Sequence, residues 1–176
     1  MEAISEYEDF VSQGHKSPDS TDQVRVHFRN TSGKCVCLYW LDHNGREVFY
    51  TFLPSRKSVT MDSYKGHLWF VRHFHTGRLI KLKLSCEKKS SYLFEVPDPE
   101  ILQQQHSPYA TCFMIDEVQS LQNIMLTEFS LRANTINIEK LNLPEDMSTH
   151  ILVFSSFMRA YNIRTKREFS QTYRNH

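Results

Sequence analysis

Ser63-Tyr64-Lys65-Gly66-His67-Leu68-Trp69 is the stretch whose reading decides the fold. Seven positions hold a hydroxyl, a phenol, a glycine, an imidazole and an indole. The chain has five glycines and two tryptophans, and one of each falls here. If a strand follows Gly66, His67 and Trp69 share a face, because strand side chains alternate with period two. Ser63 and Tyr64 then sit on the turn that leads in. Two readings compete. One is a core tryptophan on a hairpin whose turn contains Gly and His, since strand aromatics usually pack core. The other is a small aromatic-walled pocket with two polar groups at its base.

The flanks place this heptad in a β-rich region. Val24, Val26 and Phe28 alternate with Arg25, His27 and Arg29, which predicts a half-buried strand. Cys35 to Leu41 is nearly all apolar, so a strand covered on both faces is expected. Asn44-Gly45 suits a hairpin turn that needs positive φ, and Arg46 to Phe52 is the returning strand. Leu53-Pro54-Ser55 breaks it. Val59 and Met61 lead into the heptad, and Leu68 to Arg72 continues from it. Ile80, Leu82 and Leu84 alternate with Lys81 and Lys83, and Tyr92, Phe94 and Val96 close the set. Short strands spaced by turns imply a sandwich or barrel.

Beyond Pro97 the period changes. Residues 98–112 are polar and read as a linker. Val118, Leu121, Met125 and Phe129, with Ile124 beside them, fall on one helical face. Residues 132–140 read as irregular. Pro144 suits a first helical turn, with Glu145 and Asp146 near the positive end of the dipole. Met147, Ile151, Phe154, Met158 and Tyr161 make a second stripe. The expected class is α+β: an N-terminal antiparallel β-sandwich followed by a small α-helical domain. The expected boundaries are a disordered acidic tail over 1–21, a β-sandwich over 22–97, the linker over 98–112, a helical domain over 113–165 and a fraying basic tail over 166–176. The two apolar stripes pack on each other and the sheet, or a partner protein covers them.

Composition narrows the function classes. Apolar residues make up 40% and charged residues 23%, ordinary for a soluble globular chain. A net charge of +1 gives no field for nucleic acid or an anionic membrane. The opening MEAISEYEDF is acidic and lacks the apolar run of a secretory signal. Cys35, Cys37, Cys86 and Cys112 form no CxxC pair and read as reduced, buried thiols. No nucleotide loop, nucleophile elbow or paired-carboxylate motif is present. His73-x-His75 has no third ligand at a telling spacing, so metal is not expected.

One run of residues carries a resemblance. Trp40-Leu41, Gly45, Tyr50, Leu53-Pro54, Ser63-Tyr64, Gly66-His67-Leu68-Trp69 and Arg72 fall at fixed spacings between Asn30 and Arg72 without a gap. They resemble the β-domain of the von Hippel-Lindau tumour suppressor family. The resemblance implies a non-catalytic substrate-recognition subunit of a cullin-RING ubiquitin ligase, with no cofactor. Its implied ligand is the hydroxyproline-modified hypoxia-inducible factor α subunit, sent on to proteasomal degradation. In that family's pattern Ser63 and His67 would hydrogen-bond the 4-hydroxyl of the hydroxyproline, and Tyr50 the adjacent peptide carbonyl. Trp40, Tyr64 and Trp69 would wall the ring. Met61 and Asp62 would lie beside an extended peptide backbone, a general mode of peptide capture.

The helical half carries two shorter boxes. The family's elongin-binding box has a small residue, Leu, and then Cys and an aliphatic at four-residue steps. Ser120-Leu121 begins such a run, with Met125 at the Cys position and Phe129 at the last, both departures. The cullin-selecting box is met by Leu143, Pro144, Met147 and Ile151. The implied partners are elongin C with elongin B, a cullin and a RING subunit, without nucleic acid or membrane, in cytoplasm and nucleus. A ligase-independent peptide-binding scaffold is the second hypothesis, motivated by the departures at Met125 and Phe129. An enzyme is the third, and no catalytic set favours it.

Overall fold

Val24, Val26 and Phe28 are buried and their neighbours Arg25 and Arg29 exposed, so alternation sets the face of strand β1, Gln23–Asn30. In this computed structural model the described residues are 14–104, 106–133 and 138–174. They divide into two units. One comprises residues through 74 together with 78–117, the other 75–77 together with residues from 118 onward.

The first unit holds eight strands. After β1 come β2 (Val36–Leu41), β3 (Glu47–Leu53), β4 (Ser58–Tyr64), β5 (Leu68–His73), β6 (Leu79–Leu84), β7 (Leu93–Glu95) and β8 (Ala110–Ile115), with the short helix α1 (Pro99–Gln104) before β8. The ladder order is β3-β2-β5-β6-β8-β1-β4, with β7 also on β5. Strand β6 joins two layers. Leu79 and Ile80 pair with β5, whereas Lys81 to Leu84 pair with β8. Phe28, Val36, Leu38, Trp69, Val71 and Ile80 belong to the core between the layers. Phe28 meets Trp69 at a ring separation of 5.5 Å and Phe94 edge-on at 5.6 Å.

The apolar run of β2 is covered on both faces, as its sequence predicts. On its other face Tyr39 stacks on Phe70 at 5.2 Å and meets Phe49 edge-on at 5.7 Å. Arg72 is buried on that side too, bonded to Glu47 at 2.7 Å and 5.2 Å from the Phe70 ring centroid. The β2–β3 turn forms as read. Gly45 has φ +76, and the Asp42 carboxylate accepts from the backbone N–H of Asn44 and of Arg46, each at 2.8 Å.

Several sequence expectations are corrected. The sheet is not wholly antiparallel, because β1 and β8 pair in parallel. Residues 98–112 are not a linker: they carry α1 and half of β8, where Ala110, Cys112 and Met114 are buried in alternation. Residues 14–21 are exposed except for Ser17, which is buried at 2% exposure and bonded to the sheet, so this part is not a free arm; the rest of that expectation lies outside the described residues. Cys37 and Cys112 are buried thiols as expected, but Cys35 is half-buried and Cys86 exposed.

The second unit contains α2 (Leu121–Arg132), a 3-10 turn over Ile138–Leu141 and α3 (Glu145–Arg174). Ser120 caps α2, its hydroxyl accepting from the Asn123 N–H at 3.2 Å. Val118 precedes the cap and is fully exposed, so it is not on the expected helical face. Leu121, Ile124 and Met125 also face outward, while Leu126 and Ser130 are buried, and the Ser130 hydroxyl donates to the Ile151 carbonyl at 3.2 Å. The stripe on α3 is the inner one: Ile151, Met158 and Tyr161 are buried. The expected basic tail is helical as far as Arg174, and 175–176 lie outside the described residues. On the same helix Thr165 is buried and Arg164 is paired to Glu168 one turn away at 2.8 Å. In the irregular 132–140 stretch a 3-10 turn forms over Ile138–Leu141, and 134–137 lie outside the described residues. No helix among the described residues is long and apolar enough to cross a membrane.

Candidate functional site

Cross-strand pairing brings the heptad to its neighbours. In the β2–β5 ladder Trp40 lies opposite Trp69 and Leu41 opposite Leu68. Hence the two indoles sit side by side at one end of the sandwich. Gly66 makes the β4–β5 turn at φ +76, and the His67 N–H bonds back to the Tyr64 carbonyl at 3.0 Å. That turn folds His67 over the sheet end. Its imidazole stacks on Trp40, with centroids 5.4 Å apart and planes at 25°, and meets Tyr64 at 5.2 Å and His43 at 5.5 Å. Tyr50, 46% exposed on β3, stands edge-on to Trp69 at 5.3 Å.

The polar atoms are arranged with direction. Trp69 is 4% exposed and Ser63 2%. The Trp69 indole N–H donates to the Ser63 hydroxyl oxygen at 3.0 Å. An oxygen that already accepts has its own O–H left to donate. His67 is 4% exposed and its Nε2 lies 3.2 Å from the Ser20 hydroxyl. Burial lowers the imidazole pKa below the ordinary histidine value, and the neighbouring His43 adds to this; a hydrogen bond from the ring to the Pro18 backbone carbonyl partly opposes both. The ring is therefore neutral at pH 7, with one donor and one acceptor nitrogen.

Trp40, Tyr50, Ser63, Tyr64, His67 and Trp69, the residues the family resemblance singles out, thus lie together at this sheet end. Met61 does not join them through its side chain. It is 7% exposed in the core, so only its backbone can meet a ligand. Asp62 points outward and pairs with Arg25 at 3.3 Å. Strand β4 ends the ladder order, pairing with β1. An extended peptide along its other edge would lie beside Met61 and Asp62.

Sequence reading missed the segment before β1. The Ser17 hydroxyl accepts from the Trp40 indole N–H at 3.0 Å and from the Leu68 N–H at 2.9 Å, and donates to the Leu41 carbonyl. A single small serine between Lys16 and Pro18 gives no periodic signal. Asn30 was equally hidden. It is fully buried and its side-chain amide donates to the carbonyls of Lys34, Leu53 and Pro54.

In the helical unit Leu121 is 73% and Met125 41% exposed, with Phe129 half-buried and Ser120 at the cap. Leu143 and Met147 are half-buried and Pro144 exposed. Ile151 is fully buried, so its side chain does not lie on a docking surface. Among the described residues no group of three or more His, Cys, Asp or Glu side chains could hold a metal ion.

Comparison with known proteins bears on the same region. Residues 15–84 match the family model described as the VHL beta domain. Protein Vhl of Drosophila melanogaster is 24% identical over 111 residues. That alignment covers 63% of this chain and 55% of the fly protein, so the chain spans little more than half the length of the relative.

Proposed function

From the premise that the chain is, through its β-domain, a divergent member of the von Hippel-Lindau family, we propose that it is the substrate-recognition subunit of a ubiquitin ligase. In this reading it captures a hydroxyproline-bearing peptide, such as the modified hypoxia-inducible factor α subunit, and does no chemistry itself.

The observation that carries the reading is the polarity of the buried pair. Ser63 accepts from Trp69 and so offers a donor. Neutral His67 offers an acceptor. A hydroxyl is the group that accepts from one and donates to the other. Trp40, Tyr64 and Trp69 supply ring surface for a pyrrolidine, and Tyr50, exposed beside them, can reach a peptide carbonyl. An unmodified proline would leave both polar groups buried without a ligand partner, at about 1–3 kcal/mol each. With the two lost bonds, discrimination on the order of 10²- to 10⁴-fold follows.

The ligase half of the proposal rests on α2. Leu121, Ile124 and Met125 form an outward apolar face while Leu126 and Ser130 face inward, the arrangement expected of a helix that docks on elongin C. The cullin and RING subunit would follow from that bridge. Copurification of elongin C with the wild-type chain, lost with Leu121→Asp, is expected. A chain that binds hydroxylated peptide yet never brings down elongin C would instead be a ligase-independent scaffold.

A further inference from the structure

The strap His15–Ser20 crosses the sheet end that carries the aromatic cluster. Ser17 ties it to β2 and β5: its N–H donates to the Asp42 carbonyl at 3.2 Å, and its hydroxyl meets Trp40, Leu68 and Leu41. Its carbonyl lies 3.4 Å from His43 Nδ1. Pro18 rests on the β4–β5 turn so closely that a Cβ on Gly66 would stand 2.9 Å from the proline Cγ. Ser20 reaches His67 Nε2 at 3.2 Å.

We propose that this strap belongs to the recognition machinery: Ser17 fixes the plane of the Trp40 indole, and Ser20 fixes the proton of His67 on Nε2, so that the other ring nitrogen is a committed acceptor. The ligand in this inference rests on the hydroxyproline reading; the ring positions do not.

An indole has one N–H, and that of Trp40 is held by Ser17. Because His67 stacks on Trp40 at 25°, a tilt of the indole moves the imidazole with it. An imidazole proton sits on the nitrogen whose partner best accepts it. Both the Ser20 oxygen and the backbone of Pro18 lie on the strap. Once the strap takes the ring proton at Nε2, a neutral histidine keeps Nδ1 unprotonated. A hydroxyl ligand then meets a donor in Ser63 and an acceptor in His67, with no reorganisation at the moment of binding.

Ser17 and Ser20 are positioning residues, so their test reads the rings as well as affinity. The full chain, labelled with nitrogen-15 and free of ligand, is compared with Ser17→Ala, Ser20→Ala and Ser20→Thr. Two tryptophans give two indole N–H resonances. Ser17→Ala is expected to move that of Trp40 and leave that of Trp69. Ser20→Ala is expected to move the His67 ring nitrogens toward a tautomer mixture, with Ser20→Thr restoring them. Ser20 is exposed, so its variants keep the fold even where Ser17→Ala does not. In titrations with paired hydroxyproline and proline peptides, Ser20→Ala is expected to reduce the preference about tenfold, the loss of one hydrogen bond of roughly 1.4 kcal/mol. Unchanged His67 nitrogens in Ser20→Ala overturn the inference. If the wild type shows no preference, the hydroxyproline reading fails, and the ring resonances alone decide for or against the strap.

Discussion

The indole N–H of Trp69 donates to the hydroxyl oxygen of Ser63 at 3.0 Å, and both residues are almost wholly buried. This bond makes Trp69 both a core residue, packed on Phe28, and the group that orients the Ser63 hydroxyl. Ser63→Ala should therefore have two effects. It leaves a buried indole N–H without its acceptor, at about 1–3 kcal/mol, visible as a lower midpoint in chemical denaturation. It also removes the donor to the ligand, so the hydroxyproline preference should fall. Loss of stability with full preference retained would place Ser63 outside the pocket.

Acid should weaken the site through His67. Its folded-state pKa is lowered, by burial first and by His43 second. As pH falls below about 6.5, the unfolded chain takes up the proton before the folded one. Stability contributed by neutral His67 is thus full above that pH, and is lost between the unfolded and the lower folded pKa. Protonation also turns the acceptor nitrogen into a donor. Peptide affinity should drop through this window, and His67→Asn should flatten that part of the profile. Titration of binding and of denaturation midpoint against pH checks both.

Gly66→Ala tests the close approach of the strap. The residue has φ +76, and a Cβ would stand 2.9 Å from Pro18 Cγ. Positive φ alone costs an alanine about 1 kcal/mol, and the contact adds to it. A fall in melting temperature is expected, accompanied by weaker peptide binding, because the turn also carries His67. Gly33→Ala is the control: it shares positive φ at +75 but has open space around it.

Much of this was legible beforehand because strands announce themselves by alternation. The side chains of β1 and β6, and the doubly covered β2, needed only period-two counting. The heptad alone left Ser63, His67 and Trp69 open between a core hairpin and a pocket, and Trp40 joined them only through the family resemblance. What escaped were residues whose signal is a single hydrogen bond rather than a period. Ser17 and Asn30 are of this kind. Strand β8 was hidden differently, since Ala110, Cys112 and Met114 alternate at the end of a polar stretch and pair with β1, distant in sequence. Met61 looked like a binding residue, but the pleat turns its side chain inward, opposite to Asp62.

Leu121→Asp and Met125→Asp should separate the two units' roles. Both side chains are substantially exposed, so each substitution should change thermal stability of the isolated chain by no more than about 0.5 kcal/mol. Each should abolish capture of elongin C while leaving peptide affinity unchanged. A large drop in melting temperature would instead assign these residues to internal packing.

The most direct measurement is a calorimetric titration of the full chain with one substrate peptide in two forms, differing only by the 4-hydroxyl of a single proline. Preference for the hydroxylated form on the order of 10²-fold or more is expected, from one hydroxyl satisfying both Ser63 and His67. Equal affinity for the two forms would contradict the account.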